Sequence, residues 1–434
     1  MRGERGRQGD EGALRSIGAR GGPRRRGLRE ARPHRATHCA SERALATAGA
    51  DRRADRLDGR RAARRHHRGP GRPGRRGALE PGVTATGSDL SSDLPRGPSW
   101  EVLPDFERFS QVDDVFNRSF WDPEIATDEA RRFFRSYREP LTEWRRAAGF
   151  GQRDYAIRNA AWQVVDVFAE MHDGDDLRDG FLSPLTQLRD GPEDQLDLGT
   201  PTEVAAIVKR VAKTFGADLV GICAHDERWV YTERYARHAD EGRPVDLPDG
   251  LTSVIVLGQA MDHDLVDTVP SALSGAATGL GYSKDVLVLL ATAQWLRNLG
   301  YKAVPSLNDS ALVIPQAIQA GLGEYGRHGL VITPEFGPRV RFGKIFTDAP
   351  VAHDTPIRFG VTEFCESCRR CTDACPPKAI ADGQPVAVKL NRSSIGGVRK
   401  WTTDGEKCFS YWGQIASDCM ICIRVCPYNK DFTK

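Results

Sequence analysis

Apolar residues recur at helical spacing between residues 100 and 199. The segments 127–148 and 152–171 place apolar side chains every three or four positions, and Thr127 and Asp128 stand where a helix cap is expected. We therefore predict a helical N-terminal region over 100–199.

The pattern changes to alternating helices and strands from Thr200 onward. Helices are predicted over 200–216, where Pro201 occupies the first turn, over 283–300, which ends in glycine, and over 309–320. Shorter apolar runs predict buried strands at 217–225, 251–260, 302–306, 329–336 and 340–348. The alternation predicts an α/β (α+β) fold with a mixed sheet.

Composition separates residues 1–99 from the rest of the chain. This segment has 24 Arg, no Lys and 11 acidic residues, a net charge of +13, whereas residues 100–434 have 38 basic and 48 acidic residues, a net charge of −10. The segment also lacks Phe, Tyr, Trp and Asn, so it offers too little apolar surface to offset the entropy of ordering. We expect a disordered tail.

The origin of this tail has more than one explanation. An Arg-rich arm can bind nucleic acid, but the absence of Lys and of interleaved aromatic residues is unusual for one. The segment avoids residues with AT-rich codons, which favours translated upstream DNA and a true start at Val83 or Val102. No apolar run follows any Arg pair as an export signal requires, and no stretch of 18 or more apolar residues occurs. We expect a cytoplasmic protein without a membrane span.

Eight of the ten cysteines fall between residues 365 and 426, in two runs that each end in Cys-Pro. The first run has the bacterial ferredoxin spacing C-x₂-C-x₂-C-x₃-C-P, in which three thiolates hold one [4Fe–4S] cluster and the fourth crosses to the other. Two clusters are therefore predicted. The first takes four cysteines, Cys365, Cys368, Cys371 and Cys426. The second takes Cys375, Cys419, Cys422 and, as the remaining soft donor, Cys408.

A zinc ribbon and a disulfide framework are the alternatives for these cysteines. A zinc site would use one or two Cys-x₂-Cys pairs and leave the others unexplained, and disulfides do not suit a chain without an export signal. The remaining two cysteines are separate: Cys39 lies in the tail, and Cys223 lies in an apolar strand, where we expect an inert buried thiol.

A glycine-rich segment at 321–326, GLGEYG, matches G-x-G-x-x-G. A dinucleotide fingerprint must follow a strand and open a helix, but here a predicted helix precedes the segment and a strand follows it. We expect instead that these glycines allow the backbone to approach a large flat ligand.

Several longer motifs resemble the cobalamin-dependent reductive dehalogenases. They are GADLVGIC from residue 216, LGYKAVPSLND from 299, AGLGEYGRHGLVITPEFGPRVR from 320 and TDAP from 347, followed by both Cys-Pro runs in the family's order. The resemblance extends from about Gly216 to the end of the chain, and more loosely back to about residue 100.

The resemblance implies a nitroreductase-like core that holds a corrinoid, followed by a ferredoxin-like domain with two [4Fe–4S] clusters. The core would occupy 200–360 and the cluster domain 361–434, after the helical region and the 1–99 tail. The resemblance also implies that the cobalamin is bound base-off, and the sequence agrees, because it lacks the D-x-H-x-x-G motif that supplies a lower histidine in other cobalamin enzymes. Corrinoid contacts are expected from six loop residues, Gly321, Gly323, Gly326, Arg327, His328 and Gly329. We expect His328 to make a polar contact and not to ligate cobalt.

The resemblance also implies the catalytic residues. The family's proton donor, a tyrosine at the start of a long helix, corresponds to Tyr282, and a neighbouring asparagine corresponds to Asn308. The cation beside the tyrosine is arginine or lysine in different members and corresponds to Arg341, with Lys344 as a second candidate. Departure of a halide leaves carbanion character that must be protonated. A phenol, with an ordinary pKa of about 10, stays protonated at neutral pH, and a nearby cation stabilises the phenolate.

Three other functions compete with dehalogenation of a small organohalide. The epoxyqueuosine reductases share the cofactors and a segment like KCFSYWGQ at 407–414, but they use a carboxylate as proton donor, and a tRNA partner requires a basic surface. A ferredoxin-type electron carrier and a family member with a non-halide substrate are the others. We expect no nucleic-acid partner. The chain stops eight residues after Cys426, which predicts a separate electron donor such as a ferredoxin, flavodoxin or reductase.

Overall fold

The computed structural model describes residues 97–98, 100–138, 147–171, 189–236 and 241–430, which all belong to one unit of the chain, Val83–Lys434. The predictions for the tail, including Cys39 and a start at Val83, lie outside the described residues. Val102, the other candidate start, ends the first short strand. The predicted boundaries at residues 200 and 361 stay predictions.

Helices dominate the region before residue 200 and alternate with strands after it. The α-helices of the described residues are α1 (Val115–Trp121), α2 (Asp128–Arg138), α3 (Gln152–Met171), α4 (Pro201–Thr214), α5 (His263–Asp267), α6 (Gly275–Arg297), α7 (Val313–Gln319), α8 (Val361–Ser367), α9 (Arg370–Ala374), α10 (Gly405–Ile415) and α11 (Ile421–Arg424). Within the described residues, no helix combines the length and the apolar character needed to cross a membrane.

The strands are short except for two in the centre of the main sheet. The described strands are β1 (Glu101–Val102), β2 (Leu219–Ala224), β3 (Arg234–Ala236), β4 (Glu241–Arg243), β5 (Ser253–Ala260), β6 (Ala303–Ser306), β7 (Glu324–Tyr325), β8 (Val331–Ile332), β9 (Val340–Thr347) and β10 (Val398–Arg399).

Of the two predicted caps of α2, Thr127 is confirmed, whereas Asp128 is the first residue of the helix itself. The hydroxyl of Thr127 accepts a hydrogen bond from the backbone N–H of Ala130 at 3.2 Å, so that α2 starts at Asp128. Thr200 and Glu203 cap each other's backbone at the start of α4, with proline in the first turn. Helix α3 has the predicted bounds. The end of the predicted 127–148 helix, residues 139–146, lies outside the described residues.

The main sheet has the order β2-β5-β9-β6, and each neighbouring pair is antiparallel. The predicted mixed sheet is therefore wrong. Alternation of strand, helix and strand does make β5 and β6 run in the same direction, since both are antiparallel to β9. Strand β9, which comes later in the chain, lies between them and removes the parallel contact that the alternation suggests.

The sheet is buried on both faces. Ile255 and Leu257 of β5 pack with α4 and α6, whereas Val254 and Val256 of the same strand pack with α7 and the segments around it. Successive side chains of a strand point to opposite faces, so a strand covered on both sides carries a continuous apolar run. This explains why 251–260 could be recognised from its sequence.

Three elements differ in length from their predictions. Helix α6 begins at Gly275, eight residues before the predicted start, because the glycines and alanines that precede Tyr282 are buried against neighbouring segments. Helix α7 begins only at Val313, since Ala311 pairs with Val230 in an isolated bridge. The strand predicted over 329–336 is reduced to β8, because the backbone turns back through Gly337, whose φ is +57°.

Close packing of β2 on the end of α7 provides a test of this arrangement. A methyl group at Gly221 would overlap with the backbone oxygen of Ala320, so we expect Gly221→Ala to cost about 1–3 kcal/mol and to lower the thermal unfolding midpoint. The control is Gly383→Ala, because nothing lies within 4 Å of a methyl group there. Equal midpoints for the two variants would contradict the packing of β2 against α7.

Candidate active site and cofactor cavities

Tyr282, Asn308 and Arg341 lie together, as the sequence predicts. Tyr282 lies in α6 and is only 4% exposed. The side-chain amide of Asn308 donates a hydrogen bond of 2.6 Å to the phenolic oxygen of Tyr282. The guanidinium carbon of Arg341, in β9, lies 3.9 Å from the centre of the tyrosine ring. The amide of Asn308 supplies a hydrogen-bond donor and the guanidinium of Arg341 supplies a positive charge, and each would stabilise a phenolate.

Two glycines of α6 make this packing possible. A methyl group at Gly281 would lie 2.7 Å from Cγ of Arg341, and one at Gly279 would lie 2.5 Å from the ring of Trp162. Trp162, in α3, packs against Tyr282 with ring centres 5.1 Å apart. Side chains at 279 and 281 would therefore displace both neighbours of the tyrosine.

Lys344 has a different position from the other three candidates. It is fully buried in β9, and its ammonium donates to the backbone oxygen of Leu307 at 2.5 Å. Burial lowers the pKa of Lys344 to about 8, against the opposing effect of Asp309. The side chain does not line the cavities described below and instead holds the loop that carries Asn308.

Two cavities meet at the tyrosine cluster. The larger has a volume of about 540 Å³ and the smaller about 230 Å³. Six residues line both cavities: Tyr231, Thr278, Asn308, Arg341, Trp412 and Asp418. The smaller cavity also contains Tyr282 and a wall of rings from the N-terminal helices, Phe116, Phe120, Phe133, Phe134, Tyr137 and Trp162. A small apolar molecule in this cavity would contact Tyr282.

The cysteines of the C-terminal segment form two groups in space. Cys375, Cys408, Cys419 and Cys422 line the larger cavity. Cys365, Cys368, Cys371 and Cys426 line a separate small cavity together with His328 and Tyr428. This is the grouping that the ferredoxin spacing predicts, in which one thiol of each run joins the other run.

The surroundings of the thiols suit an iron–sulfur cluster. Burial raises the pKa of Cys426 to about 12 and that of Cys419 to about 11, and backbone N–H groups of Tyr428 and Ile421 oppose the rise. The N–H of Ala379 also donates to the sulfur of Cys375 at 3.4 Å. Such N–H donors stabilise the thiolates of a bound cluster. No three of the described Cys, His, Asp and Glu side chains are placed to hold a single metal ion.

The glycine loop contributes fewer residues to the larger cavity than expected. His328 and Gly329 line it. Gly321, Gly323 and Gly326 face other parts of the protein. A methyl group at Gly321 would overlap with Thr355, and a methyl group at either of the other two glycines would overlap with Ile332. Arg327 is buried and bonds to backbone oxygens near Cys365. As expected, a helix, α7, precedes the loop and a strand, β8, follows it, which excludes the dinucleotide-binding arrangement.

His328 lines both the larger cavity and the small cavity of the first cysteine group, and one of its ring nitrogens is hydrogen-bonded. Its Nδ1 accepts a hydrogen bond of 3.2 Å from the N–H of Leu330, which places the ring proton on Nε2. Burial lowers the pKa of His328 to about 4. Nε2 has no hydrogen-bond partner among the described residues. Neither nitrogen therefore offers a lone pair to a metal.

Several residues of the site carry no signal that sequence reasoning detected. Asp418, next to Cys419, accepts hydrogen bonds from Tyr137 at 2.6 Å and from Arg158 at 3.2 Å, all three being buried. Lys400 lines the larger cavity and donates to Thr402 at 2.8 Å. The sequence signal for this network is weak, because α3 carries charged residues that are not buried as well as the buried Arg158.

Comparison with known proteins identifies the family. A family model described as "Reductive dehalogenase subunit" matches residues 239–351, and one described as "4Fe-4S double cluster binding domain" matches 364–429. The tetrachloroethene reductive dehalogenase of Sulfurospirillum multivorans is 30% identical over 370 residues, which are 75% of this chain and 73% of the relative. The chain belongs to the reductive dehalogenase family of oxidoreductases, and the resemblance inferred from its motifs is confirmed.

Other relatives define how far this similarity extends. A tetrachloroethene reductive dehalogenase of Desulfitobacterium hafniense is 38% identical over 267 residues, which cover 52% of this chain and 48% of that protein. A solved reductive dehalogenase, described with a mechanism for B12-dependent dehalogenation, shares the fold with a TM-score of 0.60 and 22% identity, over 78% of this chain and 44% of that one. The epoxyqueuosine reductase of Leadbetterella byssophila is 29% identical over 260 residues, 51% of this chain and 78% of the relative.

The grouping of the cysteines leads to a prediction about iron content. Cys375→Ala removes a thiol of the second group, so we expect about four of about eight iron atoms to remain after anaerobic reconstitution. Iron analysis and EPR spectroscopy would measure this loss. Cys371→Ala should remove the other cluster, and Cys223→Ala, which changes a buried strand thiol with a pKa raised to about 12 by burial, should retain all the iron. Loss of the same EPR signal in Cys375→Ala and Cys371→Ala would contradict the two-group arrangement.

Proposed function

We propose that the protein reductively removes a halogen from a small organohalide, with a corrinoid in the larger cavity and electrons delivered through two [4Fe–4S] clusters. The observation that carries this proposal is the position of Tyr282, Asn308 and Arg341 at the junction of the two cavities. Cysteines of the second group line the larger cavity as well, so a cluster there would be adjacent to the occupant of the cavity.

The residues present suit a corrinoid. A volume of about 540 Å³ lies within the range of cofactor sites, and most of the lining is apolar, with Lys400, Ser393 and Thr402 as a polar part. When bound, the corrinoid would supply low-potential electrons to the carbon–halogen bond. His328 offers a donor N–H and no free lone pair, which supports a base-off cofactor without a protein ligand to cobalt.

Tyr282 is the proton donor in this proposal. Its hydroxyl protonates the substrate carbon as the halide leaves, and the phenolate that remains is stabilised by the hydrogen bond from Asn308 and by the charge of Arg341 over the ring. Lys344 positions Asn308 by binding the backbone oxygen of Leu307. The aromatic walls of the smaller cavity exclude water and favour an apolar substrate.

The observations favour this function over the two other classes. An electron carrier needs neither a cavity of about 540 Å³ nor an adjoining smaller cavity lined by a buried tyrosine. A tRNA-modifying reductase needs a basic surface, whereas residues 100–434 carry a net charge of −10. The family resemblance also implies a carboxylate as proton donor in the epoxyqueuosine reductases, where this chain has Tyr282.

We further propose that the protein acts in the cytoplasm and receives electrons from a separate reduced protein. The first cysteine group is the entry point in this proposal, because the partly exposed thiols of the second group, Cys408, Cys419 and Cys422, line the larger cavity, whereas the partly exposed Cys368 does not. The second group lies towards the larger cavity. Electrons would therefore enter at the first cluster and leave from the second. Fractionation of the native cells, followed by immunodetection, would test the location.

Tyr282→Phe tests the proton donor. The variant lacks one hydroxyl, so we expect unchanged iron and corrinoid content but a loss of turnover of roughly 10²–10⁴-fold, the usual contribution of a positioned general acid. The assay is anaerobic turnover of halophenols and haloalkenes with a strong chemical reductant. Tyr301→Phe is the control, because it removes a buried hydroxyl that donates to Leu196, remote from both cavities. Full activity of Tyr282→Phe would refute the assignment.

Arg341→Ala tests whether the cation acts through the tyrosine. Loss of the charge makes the phenolate less stable, so turnover should fall, and Arg341→Lys should keep part of the activity. In the double variant with Tyr282→Phe, turnover should be little lower than in the worse single variant, since both changes affect one step. Additive losses in the double variant would assign Arg341 an independent role.

A further inference from the structure

Arg327 is a buried cation without an acidic partner among the described residues. Its side chain is 1% exposed, and no carboxylate of the described segments forms an ion pair with it. Arg158 and Arg118 are buried to the same degree, but Asp418 and Asp122 pair with them. A buried charge without a counter-charge is costly, so its position calls for a negative group nearby.

The hydrogen bonds of Arg327 are directed at the segments that carry the first cysteine group. Its guanidinium donates to the backbone oxygens of Cys365 at 2.8 and 3.0 Å and of Glu366 at 3.2 Å. It also donates to Ala381, Asp382 and Gly383 at 2.9–3.2 Å, and packs over the ring of Trp401 at 4.9 Å. The guanidinium is thus fixed beside Cys365.

The charge of Arg327 lies beside Cys365, because its guanidinium donates two hydrogen bonds to the backbone oxygen of this residue. Glu324 is also buried, pairs with Arg358 and accepts a hydrogen bond of 3.2 Å from the N–H of Val361, at the start of the helix that carries Cys365. Two buried charges of opposite sign therefore lie against the segment around the same cysteine.

We propose that Arg327 is the counter-charge of the first [4Fe–4S] cluster and raises its reduction potential. The proposal rests on the proposed function, which supplies the cluster. A cluster with four thiolates is an anion, and its reduction adds one more negative charge, which a fixed buried cation stabilises. Arg327 is a positioning residue in this proposal, because it acts on the cluster through Cys365 and through its charge. It would make the first cluster the acceptor for the external donor.

Redox titration of the reconstituted full chain, followed by EPR, tests the proposal. In Arg327→Gln, the potential of the first cluster should become more negative, and that of the second cluster should change less. The matched control is Arg369→Gln, next to Cys368, because the side chain of Arg369 is 48% exposed and water screens its charge. A shift in Arg327→Gln no larger than the shift in Arg369→Gln would overturn the proposal.

Glu324→Gln separates charge from packing. It removes a buried negative charge beside the same cysteine with little change of shape, so the potential of the first cluster should become more positive. Shifts in the same direction for Glu324→Gln and Arg327→Gln would indicate damage to packing and overturn the proposal.

Arg327→Lys keeps the charge but loses most of the hydrogen bonds. We expect a potential closer to that of the unmodified protein than Arg327→Gln gives. Loss of the first cluster in both Arg327 variants would show that Arg327 acts by holding the backbone around Cys365 in place and not by its charge, and it would overturn the proposal. A complete absence of iron in the unmodified chain would instead refute the proposed function, so the two failures are distinguishable.

Discussion

The packing around Tyr282 depends on two positions of α6 where no side chain can be present. Gly279 admits the ring of Trp162 and Gly281 admits the stem of Arg341, so that both lie against the tyrosine. Glycine weakens an isolated helix by about 1 kcal/mol, so a glycine-rich start to α6 is stable only because it is buried. The helix therefore forms together with its neighbours, and the site is assembled when α3, α6 and β9 pack.

Strand β9 follows β5 and β6 in the sequence but lies between them in the sheet, and it connects this packing to the rest of the site. Arg341 lies opposite Gln259 of β5, whereas Lys344, three residues further along, lies opposite Ser306 at the end of β6. One strand thus supplies the cation at the tyrosine and the cation that holds the Asn308 loop. Because the two residues are three positions apart, their side chains point to opposite faces of the sheet, and a register shift of one residue would reverse the face of each.

The sequence predicts those features that have a local pattern. Helix α3, the cap of α4 and the buried strands β5 and β9 follow from periodicity, and the cysteine groups follow from spacing. The start of α6 could not be predicted, because glycines that break a helix and glycines that admit a neighbour look alike in one sequence. For the same reason, Gly321, Gly323 and Gly326 suggested a ligand, although protein atoms occupy the space beside them. The aromatic wall was missed because periodicity shows that Phe133 is buried and not which cavity it faces.

The contrast between Arg158 and Arg327 shows how one residue type serves two purposes in this interior. Arg158, in α3, forms a neutral pair with Asp418, and Tyr137 of α2 binds the same carboxylate, so the N-terminal helices fix the backbone next to Cys419. That pair adds no net charge beside the second cysteine group. Arg327 binds only backbone oxygens, and its full charge remains beside the first group. Of these two arginines, only Arg327 adds an unpaired charge beside a cysteine group. Under the proposal for Arg327, this difference would make the second cluster the stronger reductant, which is what a cofactor that must attain a low potential requires of its neighbour.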